Sequence, residues 1–372
     1  MSEMVLRARM FAVRVKREKF CLVTGILVLL FVPAVCAQSS NQSVFATGLN
    51  NPRGLKFGRD GNLYVAEGGA GGSMTTVGLC DQAAGVGPYS GGFTSRISKV
   101  ARNGAVSTVV DGLPSSQTNP GSGSLVSGVA DVAFIHGKLY AILAGAGCSH
   151  GLQGTDNGVI RVNSDGTWSM IADLSDFQKS HPVANPEPDD FEPDGTWYGM
   201  TAVDDVLYAV EPNHGELDAI TTSGRIRRIA DISHTQGHIV PTAIVSDGEN
   251  FYVGNLDRFP IQGETSKVLK ITPRGRVTTI AIDFSTILGL AFDRRGRLYV
   301  LENTTGNPSP TPGTGKILRI DGKHQYTEIT TGLNLPTAMT FGPDGNLYVS
   351  TWGFGPPPVG LGTIVKVTVP ED

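Results

Sequence analysis

Along most of the chain, apolar and polar residues alternate over short stretches, and the stretches are divided by turns rich in Gly, Asp and Asn. A period of two places one side of each stretch in a core and the other in solvent, which predicts half-buried β-strands and not helices. One phrase recurs: NNPRGLKFGRDGNLYVAE at 50–67, STILGLAFDRRGRLYVLE at 285–302 and LNLPTAMTFGPDGNLYVS at 333–350, with degenerate copies at 127–142, 198–211 and 239–255. Their shared tyrosines, Tyr64, Tyr140, Tyr208, Tyr252, Tyr299 and Tyr348, are spaced by 76, 68, 44, 47 and 49 residues. Within a unit the order is strand, Gly-containing hairpin, the LYV strand, a loop, a third strand such as SRISKV, a second turn such as ARNGAV or TPRGRV, and a closing strand. Asp-Gly and Asn-Gly turns between alternating runs are strong hairpin signals. Four antiparallel strands at such a period predict an all-β, six-bladed β-propeller of four-stranded blades. The last unit ends at IVKVTV (364–369) without a fourth strand, while SVFATGL (43–49) matches the closing strands EITTGL (328–333) and TVVDGL (108–113). The N-terminal strand is therefore expected to close the last blade, which also removes an exposed sheet edge.

The first residues do not fit this grammar. Basic residues up to Lys19 precede the apolar run 21–35, and Val35-Cys36-Ala37 comes before a polar stretch. This reads as a secretory signal peptide over 1–37 ahead of a propeller domain over 38–372, and places the protein outside the cytoplasm, in the periplasm or beyond the cell. The run has 15 residues, fewer than the roughly 20 that a membrane-spanning helix needs, and no membrane span is expected after its removal. Without residues 1–37 the chain carries 24 Lys and Arg against 32 Asp and Glu, a net charge of −8. That balance excludes a nucleic-acid-binding surface. Of the four cysteines, Cys80 and Cys148 stay in the exported part, and an oxidising compartment predicts a disulfide between them.

The phrases NNPRGLKFGRDGNLYVAEGGAGG (50–72), SGVADVAF (127–134), NPEPDDFEPDGTWYGM (185–200) and LYAVEPNHGEL (207–217) resemble the ScyD/ScyE family of exported bacterial proteins. The likeness runs from Val44 to Val369. It implies an exported six-bladed propeller of NHL or TolB-like type with no assigned reaction, associated by name with biosynthesis of the pigment scytonemin.

In a propeller the 1–2 and 3–4 hairpins share one face, and the 2–3 loops and blade-to-blade crossings share the other. Here the hairpins are short, whereas the opposite face collects 67–93, 113–127, 144–157, 173–197, 256–265, 303–314 and 352–362. Long loops on a rigid scaffold are where function concentrates, so a small molecule, glycan or protein is expected to bind there, to a monomer. Three residues past the repeated tyrosines stand Glu67, Glu211, Asn255 and Glu302. Such oxygen donors around one channel suit Ca²⁺, although the same carboxylates can instead accept hydrogen bonds from a neighbouring backbone. Arg53 approaches the same channel mouth, and His214 pairs in sequence with Glu211. His234 and His238 have the i, i+4 spacing of a zinc site, but Gly237 and Pro241 argue against the helix it needs. The acidic stretch 185–195 reads as a solvated, Pro-stiffened crossing. Three functions are compatible with these features: a binding scaffold, a Ca²⁺-dependent lactonase-like hydrolase using Glu67, Glu211, Asn255 and Glu302, and a quinone-dependent sugar dehydrogenase.

Overall fold

The protein is seen in a computed structural model that describes residues 39–353 and 360–370. The proposed signal peptide, 1–37, lies outside them. Six antiparallel sheets follow one another along the chain. Blade 1 is built from Pro52–Phe57, Leu63–Glu67, Ser90–Val100 and Val106–Gln117, and blade 2 from Val129–Ile135, Lys138–Leu143, Gly158–Val162 and Trp168–Asp173. Met200–Val203, Val206–Glu211, Glu216–Thr221 and Ile226–Asp231 form blade 3, and Pro241–Ser246, Phe251–Asn255, Ser266–Ile271 and Val277–Phe284 form blade 4. Blade 5 comprises Ile287–Phe292, Leu298–Glu302, Gly315–Gly322 and Gln325–Leu333. Ala338–Phe341, Leu347–Thr351 and Gly362–Val367 begin blade 6, and Gln42–Leu49 completes it by pairing antiparallel to Gly362–Val367. The first strands of the blades touch in cyclic order, blade 6 against blade 1 included.

The repeat explains itself in the packing. In four of the hairpins the Asp accepts a hydrogen bond from the following tyrosine hydroxyl, at 3.0 Å for Asp60–Tyr64, 2.8 Å for Asp247–Tyr252, 3.4 Å for Asp293–Tyr299 and 3.2 Å for Asp344–Tyr348. The turn glycine beside it has positive φ, 75° at Gly61 and 79° at Gly345, where a side chain would be strained. Each ring then meets, edge to face, a phenylalanine of the next blade: Tyr64 with Phe134, Tyr252 with Phe292, Tyr299 with Phe341 and Tyr348 with Phe57. Such pairs add about 0.5–1.5 kcal/mol each beyond their buried area. The core accordingly divides into one apolar cluster per blade interface, from Ile97, Val132 and Leu143 between blades 1 and 2 to Leu49, Leu55 and Ile364 between blades 6 and 1.

Two features depart from the plain repeat. The last strand of blade 1 runs on past the sheet and pairs with a fifth, two-residue strand, Val126–Ser127, which brings this hairpin onto the long-loop face. Short helices, Leu174–Ser180 and Ile232–Gln236, lead out of blades 2 and 3, each capped by the last residue of the preceding strand: Asp173 accepts from the Asp176 N–H and Asp231 from the His234 N–H. The sequence signal for them is the repeat IADLS (171–175) and IADIS (229–233), in which Asp is followed by a helix start.

Candidate functional site

On the long-loop face, the residues three past the repeated tyrosines are buried and individually engaged. Glu67 accepts from the Asn50 N–H at 2.6 Å and from Arg96 Nε at 2.7 Å, and also from the Ser98 hydroxyl. Glu211 accepts from the N–H groups of Thr196 (2.9 Å) and His214 (2.5 Å). Glu302 accepts from the Ser285 N–H at 2.5 Å and faces Lys316 Nζ at 3.1 Å. Asn255 donates to the Ile239 carbonyl (2.8 Å) and accepts from the Lys267 N–H (2.7 Å). In every case a partner lies in the crossing that enters the same blade, so these side chains latch the crossings to the sheets. Among the described residues no group of three or more His, Cys, Asp or Glu side chains is placed to hold a metal ion. Glu67, Glu211, Asn255 and Glu302 therefore do not come together as a shared Ca²⁺ donor set: each is engaged by partners of its own blade and of the crossing that enters it. The ring of His214 is likewise not paired with Glu211; its Nε2 donates to the Glu192 carbonyl at 2.9 Å, and the ring leans on Phe191.

The acidic crossing is the main correction to the sequence reading. Glu192 and Asp194 are buried, 2% and 3% exposed. Glu192 Oε1 accepts from the Tyr89 hydroxyl at 2.6 Å, and the Tyr89 ring stacks on His150 with centroids 4.7 Å apart. His150 bonds Ser116 Oγ through Nδ1 (2.8 Å) and donates from Nε2 to the Gly195 carbonyl (3.1 Å). Asp194 accepts from both the N–H and the hydroxyl of Ser149 and pairs with Lys179. A disulfide joins Cys80 to Cys148, just ahead of this cluster, and so ties the long loops of blades 1 and 2. Burial raises the Glu192 carboxyl well above the ordinary carboxylate range and lowers His150 to about 4, so both favour their neutral forms. Trp197, two residues past the acidic run, is fully buried and is the sequence signal that the end of this stretch packs inward, whereas Phe191 is exposed.

Above this cluster lies a cavity of about 450 Å³, walled by blade 1 (Arg53 and the Val126–Ser127 hairpin), the 187–198 crossing, and the loops around Val240 and Leu256. Tyr198 and Thr242 also line a second void of about 30 Å³, which is bordered by first-strand residues of five blades and by Tyr198 and Gly199 ahead of blade 3. That is room for about one water, so the channel narrows sharply below the cavity. On the cavity wall sits Arg53, 7% exposed. Its Nη2 donates to the Val126 carbonyl, and its guanidinium lies 5.4 Å from the Tyr198 ring centroid. Among the described residues Arg53 makes no ion pair, whereas Arg258 lies 3.8 Å from Glu187, and the His238 ring is engaged through Nε2 with Asp190 Oδ2 at 2.8 Å. His238 thus faces Asp190 and not His234, which is exposed on the helix Ile232–Gln236, so the i, i+4 histidine pair is not formed.

No protein-family model matches the chain, and no curated protein does. Solved structures do. A protein of unknown function from Bacteroides thetaiotaomicron superposes with a TM-score of 0.55 at 14% identity, covering 90% of this chain and 74% of the other. A gluconolactonase of Xanthomonas campestris gives 0.54 at 10% identity, covering 91% and 93%. A putative glucose-dehydrogenase-type oxidoreductase of Thermus thermophilus gives 0.53 at 18%, covering 88% and 99%. Identities this low speak for architecture alone, and the architecture they share with this chain is the six-bladed β-propeller.

Proposed function

We propose that the protein is an exported propeller of the ScyD/ScyE type that binds a small molecule in the cavity of its long-loop face. The observation that supports this most directly is Arg53 on the cavity wall: a buried guanidinium that makes no ion pair with its own chain has charge left for a ligand, because buried charges are otherwise matched. The volume falls in the usual range of small-molecule sites. A thermal-shift screen of the purified protein against a small-molecule library tests the reading, with Leu256→Trp filling the cavity. Ligands that raise the melting temperature of the natural protein and not of the variant are expected; hits indifferent to Leu256→Trp refute it.

A hydrolytic reading is favoured by one observation, the Asp190–His238 pair on the cavity wall, since a carboxylate-oriented imidazole is suited to activating water. It predicts lactone hydrolysis that falls at least tenfold in His238→Gln. It does not draw on Glu67, Glu211, Asn255 and Glu302, which are spent on the crossings. The quinone-dependent reading fits poorly: an anionic quinone requires several cations, and the cavity sets Arg53 and Arg258 among Glu187, Asp189, Asp190, Glu192 and Asp257.

A further inference from the structure

We infer that the cavity selects a monocarboxylate with an apolar body, carboxylate inward on Arg53. The inference rests on the binding reading above and adds the chemistry of the ligand. Arg53 is more than nine-tenths buried and has two hydrogen-bond acceptors, the Val126 carbonyl and the Tyr198 hydroxyl, and its guanidinium carbon lies 5.4 Å from the Tyr198 ring centroid. A guanidinium carries five N–H donors in a planar fork and does not lose its charge, so several donors and a full positive charge remain for whatever enters. Two parallel N–H···O bonds to a carboxylate match that fork. The Tyr198 hydroxyl donates to the Thr337 carbonyl at 3.3 Å and accepts from Arg53, which still leaves N–H groups of the five-donor fork for a ligand.

The rest of the lining sets the body and the charge of the ligand. Leu125, Val126, Val240 and Leu256 supply aliphatic wall, and Leu125, Tyr198 and Leu256 belong to one apolar cluster with Leu288 and Leu335. An apolar or aromatic ligand body replaces water against that wall. Glu187, Asp189 and Asp257 line the same cavity and would repel a second negative charge, so a dianion such as a phosphate monoester or a dicarboxylate is disfavoured. A second, independent sign of an occupant is Glu192 Oε2, which is buried, lines the cavity and has no hydrogen-bond partner.

Isothermal titration with three probes of similar shape tests this: phenylacetate, its neutral isostere phenylacetamide, and the dianion phenylmalonate, at pH 7.5 and low salt. The natural protein is expected to bind phenylacetate at least tenfold more tightly than either of the others. Arg53→Gln should bring acid and amide to within twofold, Arg53→Lys should keep the preference at reduced affinity, and Leu256→Trp should abolish binding of all three. Equal affinity for phenylacetate and phenylacetamide, or an acid preference that survives Arg53→Gln, overturns the inference while leaving a ligand cavity in place. Failure of all three probes, beside library compounds whose binding is lost in Leu256→Trp, overturns the monocarboxylate class alone. No compound sensitive to Leu256→Trp overturns both readings. Each variant is checked by a circular-dichroism melt; if Arg53→Gln does not fold, the acid–amide ratio of the natural protein and of Arg53→Lys decides.

Discussion

Two sets of buried charged side chains occupy the same face of the propeller, and they are wired differently. Glu67, Glu211 and Glu302 face backbone N–H groups of the crossings that enter their own blades, and Glu67 and Glu302 also face cations of their own sheets. Arg53 and Glu192 border the cavity with hydrogen-bonding capacity left over. Burial and charge are common to both sets, so neither property marks a site. An unspent acceptor alone does not either, since Glu302 Oε2 also lacks a hydrogen-bond partner; unspent capacity that opens onto a cavity does.

The comparison can be broken in several places. The largest effect is expected from Cys80→Ser with Cys148→Ser, which frees loops closed over 68 residues of sequence and touches no latch. The chain-entropy estimate for such a loop is about 4 kcal/mol, read as a lower urea midpoint together with weaker binding of cavity ligands. Glu67→Ala leaves Arg96, Ser98 and the Asn50 N–H without their acceptor and should lower unfolding free energy by about 3 kcal/mol, without changing ligand affinity in the folded protein. A loss of affinity as large as that from Arg53→Gln would erase the distinction between the two sets.

Acid should loosen the cavity side first. His150 is lowered to about 4 by burial, against about 6.5 in an unfolded chain. Its contribution is complete above pH 6.5 and is lost as pH falls through 4, about 3 kcal/mol in all. His150→Gln should flatten that limb of the stability curve; an unchanged limb would mean that the ring is not buried neutral. A further effect has the opposite sign. Because burial holds the Glu192 carboxyl in its neutral form, the natural protein forgoes stability as pH rises above the ordinary carboxylate range, and Glu192→Gln should be the more stable protein at pH 7. The gain should vanish near pH 4. Glu67→Gln at pH 7 should lose stability instead, so the pair of amide variants separates latch from cavity.

The fold was legible because its signals are local and repeated: Asp60, Gly61 and Tyr64 lie within five residues and recur as Asp344, Gly345 and Tyr348. The gathering of the long loops on one face also followed from strand order. What the sequence did not carry was long-range polar pairing. Nothing in NPEPDDFEPDG announces that Glu192 meets Tyr89, 103 residues earlier, or that Asp194 meets Ser149. The repetition of Glu after LYV or YAV was visible, but it is equally consistent with converging metal ligands and with separate latches. Only the backbone partners of Glu67, Glu211 and Glu302 distinguish them.

The strand Gln42–Leu49 gives the ring a late clasp. Gln42 faces Val367 across the last blade, so this early strand has no partner in its sheet until the far end of the chain is available. Contacts that span this much sequence form slowly. The ring therefore stays open while the blades between them are completed one after another, and it closes in a single late pairing that joins its two ends.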